Sequence, residues 1–508
     1  MPQTSLPDHY TQLRTLKREA ATISSIGALV SWDQETYMPA GAAEARSEQL
    51  GLLARLEHER STDPRLGELI GACESDASVK GDERLNASVR EMRRDYDIAT
   101  KLPSELVEEL ARVGSQAQEA WKSARAGNDY NAFKPWLEKM VGLSRRKAEC
   151  LSTGGELYNA LLDLYEPGAT ADEIERVFTP LRERLSAFIQ DIATNGTPPD
   201  TSMLDTKVPE AQQHAFGLRV LGAMGFDLKT GRLDVTTHPF CSGVAPGDTR
   251  LTTRYRDERF TDALYGTMHE GGHGLYEQGL PKTPDLFGTP LADSVSLGIH
   301  ESQSRMWENL VGRSESFWTW ALPVANECFD NALRDQTPAS MTRAVNTSKP
   351  TLIRVEADEG TYNLHVMLRF ELERAMMKGD LSVADLPGAW NDRMKSLLGL
   401  DVPDDARGCL QDVHWSFGLM GYFPTYTLGN LYAAQFWEAI KRDLPDVESG
   451  FARGEFAPLL EWLRTNIHAH GRQYQASELC ERATGAPLSA DPLMRHLESR
   501  IRPAYALD

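Results

Sequence analysis

Apolar residues recur at spacings of three and four along almost the whole chain, and only one stretch departs from that period. A period near 3.6 puts those side chains on one face of a helix, which commits the chain to a mainly α-helical body. The clearest case is Thr170–Gln190. Thr170 with Glu173 makes a capping box, and Ile174, Val177, Phe178, Leu181, Leu185, Phe188 and Ile189 build one apolar stripe, with Pro180 expected to kink it. Between about Arg232 and Tyr255 the pattern changes. Leu233-Asp-Val-Thr-Thr237 and Arg250-Leu-Thr-Thr-Arg-Tyr255 are short and Thr-rich, and read as strands around a turn-like Ser242–Asp248. No internal repeat, low-complexity tract or Gly/Ser linker divides the chain, which predicts one body over residues 1–508 with a small sheet near its middle.

Composition narrows the class of partner. A chain of 508 residues, 41% hydrophobic and 25% charged, can bury a large core and is neither disordered nor fibrous. Its net charge of −20 disfavours nucleic acid and anionic membranes, which reward Lys/Arg patches. Met1–Arg14 has no apolar core of the secretory kind and no apolar run reaches membrane-spanning length, so the expected compartment is the cytoplasm. The cysteines Cys73, Cys150, Cys241, Cys328, Cys409 and Cys480 are each more than seventy residues apart and form no CxxC pair, so they read as reduced thiols.

The chemistry concentrates in Tyr265-Gly-Thr-Met-His269-Glu270-Gly-Gly-His273-Gly-Leu-Tyr276. Residues four apart share one helix face, so His269 and His273 can present two imidazoles to one zinc ion. Glu270, next to the first histidine, is placed to act on a water at the ion as general base. Gly271, Gly272 and Gly274 each cost about 1 kcal/mol relative to Ala inside a helix, and their presence suggests room for a substrate backbone to come close.

A catalytic zinc takes a third protein ligand and keeps its fourth position open. Glu277, Asp293, His300, Glu301 and Glu308 are the nearby supply. Glu277 lies a further turn up the histidine helix, too far to close a compact site. Glu301, 28 residues after His273, opens a second helix that a crossing can bring to the metal. An exposed i,i+4 ion pair of Glu301 with Arg305 accounts for the same spacing equally well.

Seven landmarks in order resemble the carboxypeptidase Taq family of HExxH zinc metallocarboxypeptidases: Trp32-Asp-Gln-Glu-Thr-Tyr-Met-Pro39, His238-Pro-Phe240, Asp248-Thr-Arg250-Leu-Thr252, His269-Glu-Gly-Gly-His273, His300-Glu-Ser-Gln303, Ile353-Arg-Val-Glu-Ala-Asp358 and Gly408-Cys-Leu-Gln-Asp-Val-His-Trp415. The resemblance implies a helical zinc-peptidase fold similar to angiotensin-converting enzyme and neurolysin, a deep cleft, and a homodimer. It implies one zinc per subunit on His269, His273 and Glu301, at a site that also accepts cobalt or manganese.

By the same resemblance His414 and Tyr426 are candidates to donate to the scissile carbonyl, with Tyr422 as neighbour or alternative. Arg354 is the candidate clamp for a substrate's terminal carboxylate, which a guanidinium binds bidentately. Read without the family, Arg354 with Glu356 and Asp358 is a solvated charge cluster. Arg250 and Arg254 compete for the clamp, or their strand forms a rim that pairs with an extended substrate. His238 and Asp248 line that region. Trp32–Pro39 shows no chemistry beyond packing of the N-terminal helices, which over residues 1–100 are candidates for a lid. The expected activity is removal of single C-terminal residues from peptides of broad sequence. A dipeptide-releasing or endo-acting oligopeptidase on the same scaffold is the alternative. A non-catalytic metal-binding scaffold fits less well, because no cysteine near 269–301 closes the fourth position.

Overall fold

A computed structural model describes residues 6–507, so the opening residues of the Met1–Arg14 stretch lie outside the described residues. Helices follow one another along the chain and are interrupted once by strands, where the period changes. At Thr170 both capping-box bonds form. Glu173 N donates to Thr170 Oγ1 at 3.3 Å and Thr170 N donates to Glu173 Oε2 at 3.1 Å. The helix Ala171–Asn195 then runs through Pro180 without a break and buries Ile174, Phe178, Leu181, Leu185, Phe188 and Ile189. Among the described residues no helix is long and apolar enough to cross a membrane, and the six cysteines form no disulfide.

The sheet has three strands, not two. β1 (Gly231–Val235), β2 (Cys241–Ala245) and β3 (Asp248–Thr253) lie in the order β1-β3-β2, with β1 parallel and β2 antiparallel to β3. Ser242–Asp248 is therefore mostly strand. Only Pro246 and Gly247 reverse the chain, with Gly247 at φ 77°. Cross-strand pairing holds β2 in place although Ser242 and Gly243, with the Pro-Gly-Asp that follows, read as a turn. The order also corrects the expected substrate rim: β3, which carries Arg250, is the central strand with a partner on each side, so it has no free edge for a peptide.

Trp32–Pro39 packs on this sheet as well as on neighbouring helices. Arg232 and Arg250 face each other across β1 and β3, and the Trp32 ring lies between them at 5.0 and 4.3 Å from the guanidinium carbons. Each arginine pairs with a carboxylate of its own strand, Asp234 and Asp248. The Tyr37 hydroxyl donates to Asp234 at 2.5 Å. Cation–π contact, ion pairing and burial together tie the end of the helix Asp8–Thr36 to the sheet. That helix also contributes Tyr10 and Leu13 to a small core with Leu66, Ile70, Val89 and Met92, separate from the large core that runs from Leu106 to Tyr505.

Buried carboxyl groups give the fold a pH signature. Glu166 is 1% exposed and accepts from Gly298 N, and burial pushes its carboxyl up to about 8. Burial pushes Glu373 up to about 7, although Gly421 N, Trp415 and Tyr158 all donate to it. A folded pKa above the unfolded one means stability that is complete at low pH and lost as pH rises through the folded value. His365 and His468, pushed down to about 3 by burial, act in the opposite sense but only below about pH 6.5. Stability of the metal-free protein should therefore fall between about pH 6.5 and 8, by at most about 1.4 kcal/mol per pH unit for each carboxyl. Glu166→Gln should flatten this slope in denaturant melts across that range; an unchanged slope would show that Glu166 stays ionised.

Candidate metal centre and catalytic site

The helix Phe260–Gly279 is buried on almost every side and carries His269, Glu270 and His273. Its glycines do not make room for substrate, as the sequence suggests, but for the protein itself. A Cβ on Gly272 would stand 2.5 Å from Gln303 O and 2.7 Å from Ser304 Cα, on the crossing helix Leu297–Arg305. Gly271 faces Leu221 and Met224, and Gly274 faces Leu251 of β3 and Phe226. Side-chain-free contact at Gly272 lets the two helix backbones approach closely, and this brings Glu301 to the histidines.

The Nε2 atoms of His269 and His273 each lie 3.5 Å from Glu301 Oε2. One ligand atom from each of the three residues falls within 4.8 Å of the others. Donors held at about 2.05 Å around a tetrahedral ion are separated by roughly 3.3 Å, so spacing and donor chemistry both fit a divalent cation such as zinc. Glu277 takes no part in this group. It accepts from His300 Nε2 at 2.9 Å and from Lys282.

The two readings of Glu301 turn out to be compatible. Its Oε1 accepts from Arg305 Nε at 2.7 Å while Oε2 faces the histidines, and the ion pair is buried, not exposed. Burial raises the Glu301 carboxyl, but Arg305 and His269 outweigh it and hold it well below the usual range. Arg305 also pairs with Glu308, whose Oε2 lies 2.8 Å from His269 Nδ1. Glu308 sits in the wide π-helical turn Met306–Val311 that continues the second helix, a local form that recurs at functional sites. Its carboxyl is brought down to about 2 against the effect of burial, chiefly by Arg305. On His269 burial acts downward, yet Glu301 and Glu308 carry it up to about 9; His273, buried and beside His300, drops to about 4. Glu270 is 6% exposed, and burial pushes its carboxyl up to about 7, with His269 opposing.

Further helices complete the surroundings. Gly429, on the helix Pro424–Asp443, packs on Glu301, where a Cβ would stand 2.5 Å from Cγ. Tyr426 lies one turn earlier on that helix. Its ring is 5.4 Å from Tyr422, 6.5 Å from His414 and 6.0 Å from Tyr362, and Arg305 stacks on Tyr362 at 4.8 Å. Burial pushes Tyr426 well above its ordinary value and brings His414 down to about 4, so at neutral pH both are uncharged and keep a proton to donate.

Arg354 belongs to the same group, and it is not part of a solvated charge cluster. It is 6% exposed, its Nε and Nη2 donate to Asp412 Oδ1 at 3.0 and 2.9 Å, and Nη1 donates to Tyr362 at 3.1 Å. Asp358 is half-buried and caps the helix Glu359–Lys378, its side chain accepting from Gly360 N and Thr361 N. Asp412 also accepts from Arg369 Nε at 2.6 Å, so two guanidinium groups share one carboxylate and a positive charge is left over. Neither Arg250 nor His238 joins this group. Arg250 is engaged by Asp248 and Trp32, and His238 stands exposed between β1 and β2. Spacing assigns no partner to either histidine, and Glu308 and His300 occupy those places; Asp412, inside the Gly408–Trp415 landmark, carries no signal of its ion pair with Arg354.

Two imidazoles and a glutamate around one centre, with a second carboxylate beside the first histidine, define a helical metallopeptidase of the HExxH class. Comparison with known proteins narrows the class. The family model for Carboxypeptidase Taq (M32) metallopeptidase matches residues 12–501, and the chain belongs to that family of metallocarboxypeptidases. It is 47% identical to thermostable carboxypeptidase 1 of Thermus thermophilus, over 98% of this chain and 99% of the relative. Carboxypeptidase 1 of Bacillus subtilis is 36% identical over 97% of this chain and 98% of its own length. The crystal structure of an M32 carboxypeptidase from Deinococcus radiodurans superimposes with a TM-score of 0.95 at 42% identity, covering 99% of this chain and all of that one.

Proposed function

We propose that the chain removes residues singly from peptides with a free C-terminus, using one zinc ion held by His269, His273 and Glu301. When bound, the ion supplies Lewis acidity at the scissile carbonyl and makes a water more acidic. Glu270 accepts the proton of the attacking water and passes it to the departing amine. His414 and Tyr426, with Tyr422 beside them, donate to the charge developing on the carbonyl oxygen. Cobalt or manganese can replace zinc in a site of two histidines and a carboxylate. The whole chain acts as one catalytic body in the cytoplasm, as a homodimer, with the N-terminal helices as its lid. Because β3 is enclosed, the substrate backbone runs along β2, the edge strand whose Gly243 packs on Glu277 of the histidine helix.

The observation that carries the exopeptidase reading is the pair Arg354 and Arg369 on Asp412. One buried carboxylate offsets only one of two buried guanidinium groups, and the remaining positive charge, beside Tyr426 and His414, favours a substrate carboxylate. The test is mass spectrometry of peptides and their C-terminally amidated twins. Free acids should shorten by one residue at a time and amides should resist. Arg354→Met should lower kcat/KM on the free acids by roughly 10–100-fold, the worth of a charged hydrogen bond. Equal cleavage of amides, or internal cuts, would instead indicate an oligopeptidase.

A further inference from the structure

His273 has a partner of a different kind from the Glu308 that serves His269. Its Nδ1 lies 2.5 Å from Nδ1 of His300, whose Nε2 lies 2.9 Å from Glu277 Oε1, and Lys282 donates to the other oxygen of Glu277. All four side chains are largely withdrawn from solvent. β2 closes over the end of the chain, where any side chain on Gly243 would strike Glu277 and Lys282. We propose that His300, Glu277 and Lys282 are positioning residues that fix the tautomer and ring orientation of His273 for metal binding.

The proton positions follow from donor and acceptor chemistry. Lys282 can only donate, so Glu277 accepts from it and also from His300, which places the His300 proton on Nε2. Nδ1 of His300 then carries a lone pair and accepts from His273 Nδ1–H. The His273 lone pair is left on Nε2, the atom that faces Glu301 Oε2. The three residues thus hold His273 as a ligand before any ion arrives. Tyr276 packs on the His300 ring at 5.2 Å and limits its rotation. Partners of this kind are worth roughly 10–100-fold in metal affinity.

The test measures zinc and cobalt dissociation constants and chelator-driven release, with the melting temperature of each metal-free variant as a control on folding. His300→Leu should weaken binding by roughly 10–100-fold and speed release, with the metal-free melt little changed. His300→Asn presents an amide oxygen where Nδ1 stood and should recover most of the affinity. Glu277→Leu, which leaves His300 in place but removes its acceptor, should weaken binding by roughly tenfold and decides the matter if His300→Leu does not fold. Wild-type affinity in both leucine variants, or an asparagine variant as weak as the leucine one, would overturn the proposal. The inference rests on the three-ligand centre; if that assignment were wrong, the unaltered protein would fail to bind the ion, which separates the two failures.

Discussion

Glu270→Gln should leave metal content and melting temperature intact and lower kcat by roughly 10²–10⁴-fold, the range for loss of a positioned general base. The substitution keeps the shape of a side chain that is 6% exposed and removes only its ability to take a proton. None of the three ligand atoms belongs to it. Because burial already drives the Glu270 carboxyl towards its neutral form in the metal-free protein, an amide there should be at least as stable as the wild type above about pH 7. Metal analysis, steady-state kinetics and thermal melts on one preparation check all three. Retained turnover would mean that another group takes the proton.

Arg305→Met should destabilise the metal-free protein by about 3–5 kcal/mol, the cost of stranding one side of a buried ion pair. Arg305 is the counter-charge for both Glu301 and Glu308, at 2.7 and 3.3 Å, and both carboxylates are buried with it. A divalent cation bound at Glu301 supplies positive charge in the same place, so metal should raise the stability of the variant more than that of the wild type. Denaturant unfolding with and without zinc measures the difference. An equal increment in both proteins would mean that the arginine and the ion do not share a role.

The parts of the site that were legible are those whose geometry is local. His269 and His273 share a face because they are four apart on a helix, and Glu270 is displaced from it by one residue; no long-range contact enters that argument. The helical body followed from the apolar period, and the capping box at Thr170 formed as read. Glu301 was visible as a candidate, but its spacing from Arg305 satisfied a ligand and an ion pair alike. In the structure Oε1 takes Arg305 while Oε2 faces the two histidines.

What failed to read was set by how elements cross. The purpose of Gly272 depends on a backbone 31 residues further on, and that of Gly429 on Glu301. β2 was hidden because a short segment with Ser242 and Gly243 at its centre becomes a strand only when a neighbour pairs with it. Arg354 reads as a surface charge until Asp412, 58 residues away, meets it in the core. Sequence alone determined the class of the fold and set His269, His273 and Glu270 together on one helix, because helix periodicity converts spacing directly into direction. The tertiary structure decided that Glu301 meets both Arg305 and the histidines, which side chains stand beside each imidazole and that β3 is enclosed, because close packing between distant segments sets those distances and no local spacing encodes them.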